Sequence, residues 1–436
     1  MHDRTPKELR TEPETAVLVG AGLGDKSTND DLGLLDELAE LARTAGVVPV
    51  GRYYQRRQTP DTAYYVGSGK VEEIAAGIRE TGAGCVLVDN ELTPRQVRNL
   101  EAALKAKVLD RSEVILDIFA VHARTQEAKL QVELAQLRYT RPRLRRMWTH
   151  LERITGRGGV GSRGPGEKQI ETDRRLIDRR ITSLEHELDE VKKRRERLVA
   201  TRGDEFTVSL VGYTNAGKST LMNRLTGAGV LAEDRLFATL DTKTKDFNLP
   251  GGQRVLLSDT VGFIRDLPHH LVASFHATLE EVRQAKLLLH VVDAGQPRVE
   301  RQVETVHDVL DNVLGLKQRN ELIIFNKVDT IRDWIEFSVL ANRYPKHIKV
   351  SAVTGEGIED LLQAIEMHDL RSQQSMHLVL KAADGRTLAE LNRFAKVVSI
   401  NYVDENVFIE AQVPVELAPR FEAYLVDEKH GGPKAG

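Results

Sequence analysis

Short apolar runs alternating with amphipathic stretches fill the first quarter of the chain. Ala16-Val17-Leu18-Val19, Val47-Val48-Pro49-Val50, Cys85-Val86-Leu87-Val88 and Val108-Leu109 read as strands. Between them, Leu32 to Thr44, Val71 to Thr81 and Leu92 to Ala106 carry helical periodicity. Strands alternating with helices predict βαβ units and a mostly parallel sheet. The pattern changes at Ser112. Leu116, Ala123, Leu130, Leu137 and Leu144 recur every seven residues, as do Ile170, Ile177, Leu184, Val191 and Leu198. Ile181 and Leu188 follow two of these by four. Heptads on two long charged segments predict helices zipped along one seam as an antiparallel hairpin. Pro142 is expected to kink or end the first of them near Arg141. A second α/β pattern runs from Asp204 to about Leu370. The last part reads as strand His377–Lys381, helix Thr387–Ala395, strands Val397–Tyr402 and Val407–Gln412, and a closing helix.

The expected fold class is therefore α/β, in four parts. These are a parallel-sheet N-terminal domain (1–111), a long helical hairpin (112–202) with a glycine-rich basic tip (149–166), a second α/β domain (203–370), which the motifs below make a P-loop domain, and a small α+β C-terminal domain (371–436). At 436 residues the chain is too long for one core.

Four segments in the third part carry chemistry. Phe206–Val211 is a strand running into Gly212-Tyr213-Thr214-Asn215-Ala216-Gly217-Lys218-Ser219, with a helix after it. This is the phosphate-loop pattern in its strand–loop–helix context. Its glycines let backbone amides and a helix N-terminus face phosphates. Lys218 supplies charge to the β- and γ-phosphates, and the Ser219 hydroxyl suits Mg²⁺. Asp259-Thr260-Val261-Gly262 follows, with Asp259 expected to reach the metal through water and the Gly262 amide to sense the γ-phosphate. Between them, Phe237-Ala238-Thr239-Leu240-Asp241 presents Thr239 as a second, mobile metal ligand. Asn326-Lys327-Val328-Asp329 ends a buried strand. The Asp329 carboxylate can accept from guanine N1 and N2, a pair that adenine lacks, which discriminates by about 3 kcal/mol. Lys327 is placed along the base, and Ser351-Ala352-Val353 on its O6 side. Together these predict a GTP hydrolase in which Lys218, Thr239, Gly262 and Asn215 are the catalytic candidates.

Small GTPases usually carry a water-orienting glutamine directly after Asp-x-x-Gly. Here that position is Phe263, which leaves the backbone, another group, or simple core packing in an inactive enzyme as readings. Asn215 occupies the loop position at which potassium-activated GTPases hold a K⁺ ion. A loop-stabilising hydrogen bond is the other reading.

Charge adds a second theme. Arg138 to Arg180 contains 13 Lys+Arg against 5 Asp+Glu, a local +8 in a chain of net −3. Basic residues around a glycine-rich tip suit a phosphate-rich surface, folded RNA above all, while a solvated charged turn is the alternative. Gly67-Ser68-Gly69-Lys70 hints at a second phosphate loop, but Tyr64 stands where its first glycine belongs, so a turn before a helix is expected. The single cysteine, Cys85, lies in an apolar run and reads as a buried hydrophobe suited to a reducing compartment. No signal peptide or membrane span is legible, and a cytoplasmic location is expected.

On these residues the sequence resembles an HflX-type ribosome-associated GTPase. The stretches that carry the likeness are Tyr65-Val66-Gly67-Ser68-Gly69-Lys70, Lys129 to Leu137, Arg163-Gly164-Pro165-Gly166-Glu167, Val211 to Thr220 and Asp259 to Ile264. The resemblance implies binding to the large ribosomal subunit and its rRNA, with the hairpin tip reaching toward the peptidyl-transferase centre. It further implies GTP-dependent splitting of stalled or idle ribosomes under stress, by a protein that is a monomer when free. The rivals are a potassium-activated GTPase in RNA modification or ribosome assembly and a non-hydrolysing RNA-binding scaffold. A tRNA-modifying GTPase of that kind would need a C-terminal catalytic cysteine, and Cys85 is not one.

Overall fold

The computed structural model describes residues 14–23, 32–144, 165–200, 206–227, 229, 235–240, 242–265, 276–296, 298–371, 373–414 and 417–425. Most of the expected basic tip (149–164) and Asp241 lie outside them.

The first sheet comprises β1 (Thr15–Leu23), β2 (Val48–Arg57), β3 (Cys85–Val88) and β4 (Lys107–Asp110), all parallel in the order β2-β1-β3-β4. Continuous apolar runs form it because both faces are covered. One face packs α2 (Ser68–Thr81) and α3 (Pro94–Leu104) through Val17, Val19, Ile74, Val86, Val97 and Leu100. Pro94 and the Thr93–Gln96 capping box start α3. Gly67-Ser68-Gly69-Lys70 is the start of α2, and the Lys70 ammonium pairs with Glu73 at 2.6 Å. The helix thus begins three residues before Val71, and the segment expected as a turn is its N-cap and first turn.

The other face packs α1 (Leu32–Thr44) and α4 (Arg111–His122). The first heptad segment is thus not one helix. α4 ends at His122, Ala123 is extended, and α5 (Gln126–Thr140) begins afresh behind a Thr125 cap. Leu116 is buried in the first domain's core, while Leu130, Leu134 and Leu137 meet Ile181, Leu184 and Leu188 of α6 (Pro165–Ala200). A period of seven survived the break because Leu116 satisfies a different partner. Arg138–Glu185, Arg141–Asp178 and the bidentate Arg180–Glu133 pair flank the α5–α6 seam. Pro142 sits in a single 3₁₀ turn directly after α5.

The third part is built on a six-stranded sheet, order β10-β9-β8-β5-β7-β6. Its strands are β5 (Phe206–Gly212), β6 (Lys243–Asn248), β7 (Arg254–Asp259), β8 (Leu287–Asp293), β9 (Glu321–Asn326) and β10 (His347–Lys349). Only β6 runs antiparallel to its neighbour. The central β5 lies between β7 and β8, where the order of connection reverses, which is where open α/β sheets bind ligands. The last part is an antiparallel sheet of β11 (Gln373–Lys381), β12 (Lys396–Val403) and β13 (Asn406–Pro414), with β13 central. A helix, Gly385–Phe394, packs on it, and the expected closing helix is one short turn, Ala418–Phe421. No described helix is long and apolar enough to cross a membrane.

Candidate functional site

The segments singled out by sequence meet at the carboxyl edge of the six-stranded sheet. β5 ends at Gly212, and the loop closes on α7 (Lys218–Thr226). Gly217 has φ +90°, and a Cβ there would lie 2.3 Å from Asn326 Nδ2, so only glycine fits. Asn326 ties the base-side segments to the loop. Its Nδ2 donates to Ala216 O at 2.9 Å, and its Oδ1 accepts from Ala352 N at 3.0 Å. Lys327 Nζ donates to Asn215 O at 2.9 Å and pairs with Asp293 Oδ2 at 2.8 Å. Asp293, at the end of β8, carried no motif of its own in sequence. An acidic residue closing a fully buried apolar run was its one signal.

The phosphate end is narrow. Thr214, Asn215, Gly217, Lys218, Ser219, Thr220, Arg235, Phe237, Ala238, Thr239, Thr260 and Gly262 line it. Lys218 is buried, with Nζ on Gly212 O and Tyr213 O at 3.2 and 2.8 Å. Burial pulls its pKa down to about 8 against the opposing pull of the Asp259 carboxylate. The loss of hydration also raises Asp259, though Lys218 and two hydroxyls oppose it.

Three oxygen donors converge here. Ser219 Oγ lies 2.8 Å from Thr239 Oγ1 and donates to Asp259 Oδ2 at 2.6 Å, and Thr239 Oγ1 donates to the same oxygen at 3.2 Å. Asp259 Oδ1 is buried and has no hydrogen-bond partner among the described residues. An orphaned carboxylate oxygen beside two hydroxyls is the donor set of a hard, oxygen-seeking divalent cation. Gly262 presses against the loop: a Cβ would lie 2.7 Å from Thr214 Cα. A wider cavity of about 730 Å³ opens beyond, lined by Asn215, Arg235, Asp293, Gly295, Lys327 and Thr330, with Glu40, Arg43 and Thr44 of α1 among its walls. It has room for a nucleoside.

Several expected residues spend their side chains elsewhere. Ala216 is buried in the core of the six-stranded sheet, Val328 is buried, Thr260 Oγ1 donates to Leu210 O, and Leu240 and Val261 enter the core of the first domain. Any part they take at a nucleotide is through backbone. Val353 points outward, 72% exposed. Ser351 Oγ accepts from Thr354 N and shapes the turn that carries the Ala352 amide. Asp329 is exposed in the 3₁₀ turn Val328–Thr330, next to Lys327.

Sequence reasoning missed how far the first domain enters this site. Tyr213, Leu236, Phe237, Leu240, Val261 and Ile264 share one core with α1, α4 and α5. The Phe237 ring packs edge-on to Phe119 at 4.7 Å. Beside that core lies a buried ion network. Arg111 Nη1 donates to Asp89 Oδ1 at 2.8 Å, and its Nη2 donates to Glu37 Oε1 at 2.5 Å and Arg265 O at 3.0 Å. Arg265 Nη2 reaches Asp89 Oδ2 at 2.7 Å. Tyr213 Oη donates to Glu37 Oε1 at 2.9 Å and accepts from Arg265 N at 2.8 Å. Burial alone would lower Arg111, but the Glu37 and Asp89 carboxylates hold it above its ordinary value. Three of these contacts, Arg111–Arg265, Arg265–Asp89 and Tyr213–Glu37, join residues more than 150 positions apart, which no local pattern encodes.

A phosphate loop at the centre of this sheet, an Asp-x-x-Gly segment beside it and an Asn-Lys-x-Asp strand end define a P-loop GTPase. Family models agree along the chain: "GTP-binding GTPase N-terminal" matches residues 33–120, "GTP-binding GTPase Middle Region" 122–202, and "50S ribosome-binding GTPase" 207–327. The chain belongs to the HflX GTPase family and is a GTP hydrolase. It is 48% identical to GTPase HflX of Magnetococcus marinus over 418 residues, covering 94% of each chain. With GTPase HflX of Escherichia coli it shares 44% identity over 407 residues, 92% of this chain and 93% of that one. A solved GTP-binding protein from Sulfolobus solfataricus, in complex with GDP, is 25% identical over 82% of this chain and 99% of its own, with a TM-score of 0.44.

Proposed function

We propose that this GTPase binds the large ribosomal subunit and uses the GTP cycle to dissociate stalled or idle ribosomes under stress, as a cytoplasmic protein that is monomeric off the ribosome. The observation that carries this reading is the shared core. Segments that would respond to the γ-phosphate, around Thr239 and Gly262, are packed into the domain from which α5 emerges. A change at the phosphate can therefore move the α5–α6 pair, and the sequence between those helices is rich in arginine and glycine, which suits rRNA. The match to a model described as a 50S ribosome-binding GTPase supports the same partner.

In this reading Gly212–Ser219 wraps the phosphates, Lys218 neutralises them, and Asp329 selects guanine while Lys327 lies along the base. Ser219 and Thr239 would hold Mg²⁺, with Asp259 behind them. When bound, that ion neutralises charge on the β- and γ-phosphates. The Gly262 amide orients the γ-phosphate. Asn215 would hold K⁺ beside the phosphates, a reading supported by its lining both the phosphate pocket and the wider cavity. The RNA-modification rival finds no thiol: Cys85 is buried against Thr15 O, and burial pushes it up to about 11.

The test is GTP turnover with and without purified large subunits, in KCl and in NaCl, alongside ribosome profiles on sucrose gradients. Stimulation by large subunits and a GTP-dependent loss of 70S particles are expected. Turnover indifferent to ribosomes in both salts would remove the translation reading.

A further inference from the structure

We infer that Arg235 is a catalytic residue of this GTPase, supplying from its own chain the cation that stabilises the transition state of hydrolysis. The inference rests on the GTPase activity alone and does not depend on the ribosomal reading.

The chemistry sets the need. Water attacks the γ-phosphorus, the bond to the β–γ bridging oxygen breaks, and its electrons stay on GDP. Both hydrogens of the water leave with inorganic phosphate as H₂PO₄⁻. Negative charge builds on the bridging oxygen and on the equatorial oxygens, and a positioned donor there is worth more in a narrow, partly dry site than in water. The side chain after Asp-x-x-Gly supplies no such donor. That residue, Phe263, is apolar and buried with Val211, Leu279 and Val282.

Two cations line the phosphate pocket among the described residues, Lys218 and Arg235. Lys218 is enclosed beneath the loop and held by two of its carbonyls, a placement for ground-state neutralisation. Arg235 differs. It is exposed, and it lines both the phosphate pocket and the adjoining wide cavity that also holds Asn215 and Lys327. It therefore stands at the junction of the two, where the phosphate tail would pass. A guanidinium stays charged at every working pH and offers a planar fork to phosphoryl oxygens.

What fixes Arg235 near that junction is the segment after it. Leu236, Phe237 and Leu240 are buried in the first domain's core, and Phe237 rests on Phe119. Phe237 has φ +57°, a left-handed turn that a bulky residue rarely adopts without surrounding support. That turn separates Arg235 from Thr239, so one anchored bend presents a cation and a hydroxyl to the same phosphates. The N-terminal domain thus positions the cation by holding Phe237.

The experiment is single-turnover GTP hydrolysis by the full-length Arg235→Ala protein in KCl, without ribosomes. It is paired with the affinities for a fluorescent GDP and a non-hydrolysable GTP analogue, and with formation of the GDP–aluminium fluoride complex. The expected loss in turnover is at least about 100-fold, given the rate contributions known for such arginines. GDP affinity should stay within about threefold of wild type, which also reports a folded site, and the aluminium fluoride complex should be lost. Added guanidinium ion should restore part of the rate. Turnover within about threefold of wild type overturns the inference. So does a loss of GDP affinity as large as the loss of rate, because Arg235 would then be a binding residue.

Discussion

At the level of single residues, the site depends on side chains that are absent as much as on those present. Gly262 lies so close to Thr214 and Lys218 that any Cβ displaces the loop. Gly262→Ala should therefore reduce GTP hydrolysis by roughly tenfold or more while GDP binding persists, since only the γ-phosphate side is disturbed. Retention of wild-type turnover would show that the segment relaxes freely. Asp329→Asn exchanges an acceptor pair for an amide that matches xanthine, and nucleotide competition should show preference moving from guanine to xanthine nucleotides. An unaltered preference would refute the assigned base contact. Both residues were legible in sequence because each belongs to a short motif with a fixed strand-end context. Asp293, Arg265 and Arg235 were not. Their roles come from what they face, and they face groups distant in the chain.

Elements obey the same division. The α5–α6 seam was readable from heptads because period and charge repeat over many residues. The break at Ala123–Thr125 was not, since α4 kept the apolar period while burying it in another core. Leu184 is fully buried at that seam. Leu184→Ala should cost about 2–5 kcal/mol of local stability, seen as faster amide exchange in α5 and α6 with the nucleotide affinity intact. Within the nucleotide-binding sheet, Glu321 accepts from His290 Nδ1 at 2.7 Å and His307 Nε2 at 2.8 Å, and Arg319 Nε donates to its other oxygen. Burial tends to raise Glu321, but the two imidazoles hold it well below its ordinary value. Burial lowers His290 despite Glu321. Both shifts are depressions, so the stability they contribute is present above the ordinary values of 6.5 for His290 and 4.5 for Glu321 and is lost as pH falls below each in turn. Urea midpoints should drop on acidification below pH 6.5, and the deficit of Glu321→Gln relative to wild type should narrow below pH 4.5. A deficit that grows with acidity would contradict the sign.

Across the whole molecule, the decisive feature is that the first domain and the nucleotide-binding domain share one core and one ion network. Removing one partner of a buried pair strands its neighbours, at about 3–5 kcal/mol. Asp89→Asn leaves Arg111 and Arg265 short of a carboxylate between the two domains. Nucleotide exchange should then quicken, and GTP turnover should change without ribosomes, as measured by stopped-flow release of fluorescent GDP. Exchange kinetics identical to wild type would mean the domains are merely adjacent. Deleting residues 156–164 should abolish ribosome splitting with GTP affinity preserved, and splitting by the deletion protein would reduce the tip to a turn.

The chemistry of this protein was determined by local sequence. A phosphate loop and an Asp-x-x-Gly work largely through backbone amides, and an Asn-Lys-x-Asp through side chains fixed at a strand end, so short-range geometry makes their residues legible. Continuous apolar strands and heptads likewise declare a parallel sheet and a helical pair, because burial imposes period on the chain. Only the tertiary structure decided which of those elements would touch. It seated Phe237 on Phe119, brought Glu37 and Asp89 to Arg265, and set α4 into the first domain's core. Packing and charge pairing act on groups that meet in space, and their separation along the chain leaves no periodic trace.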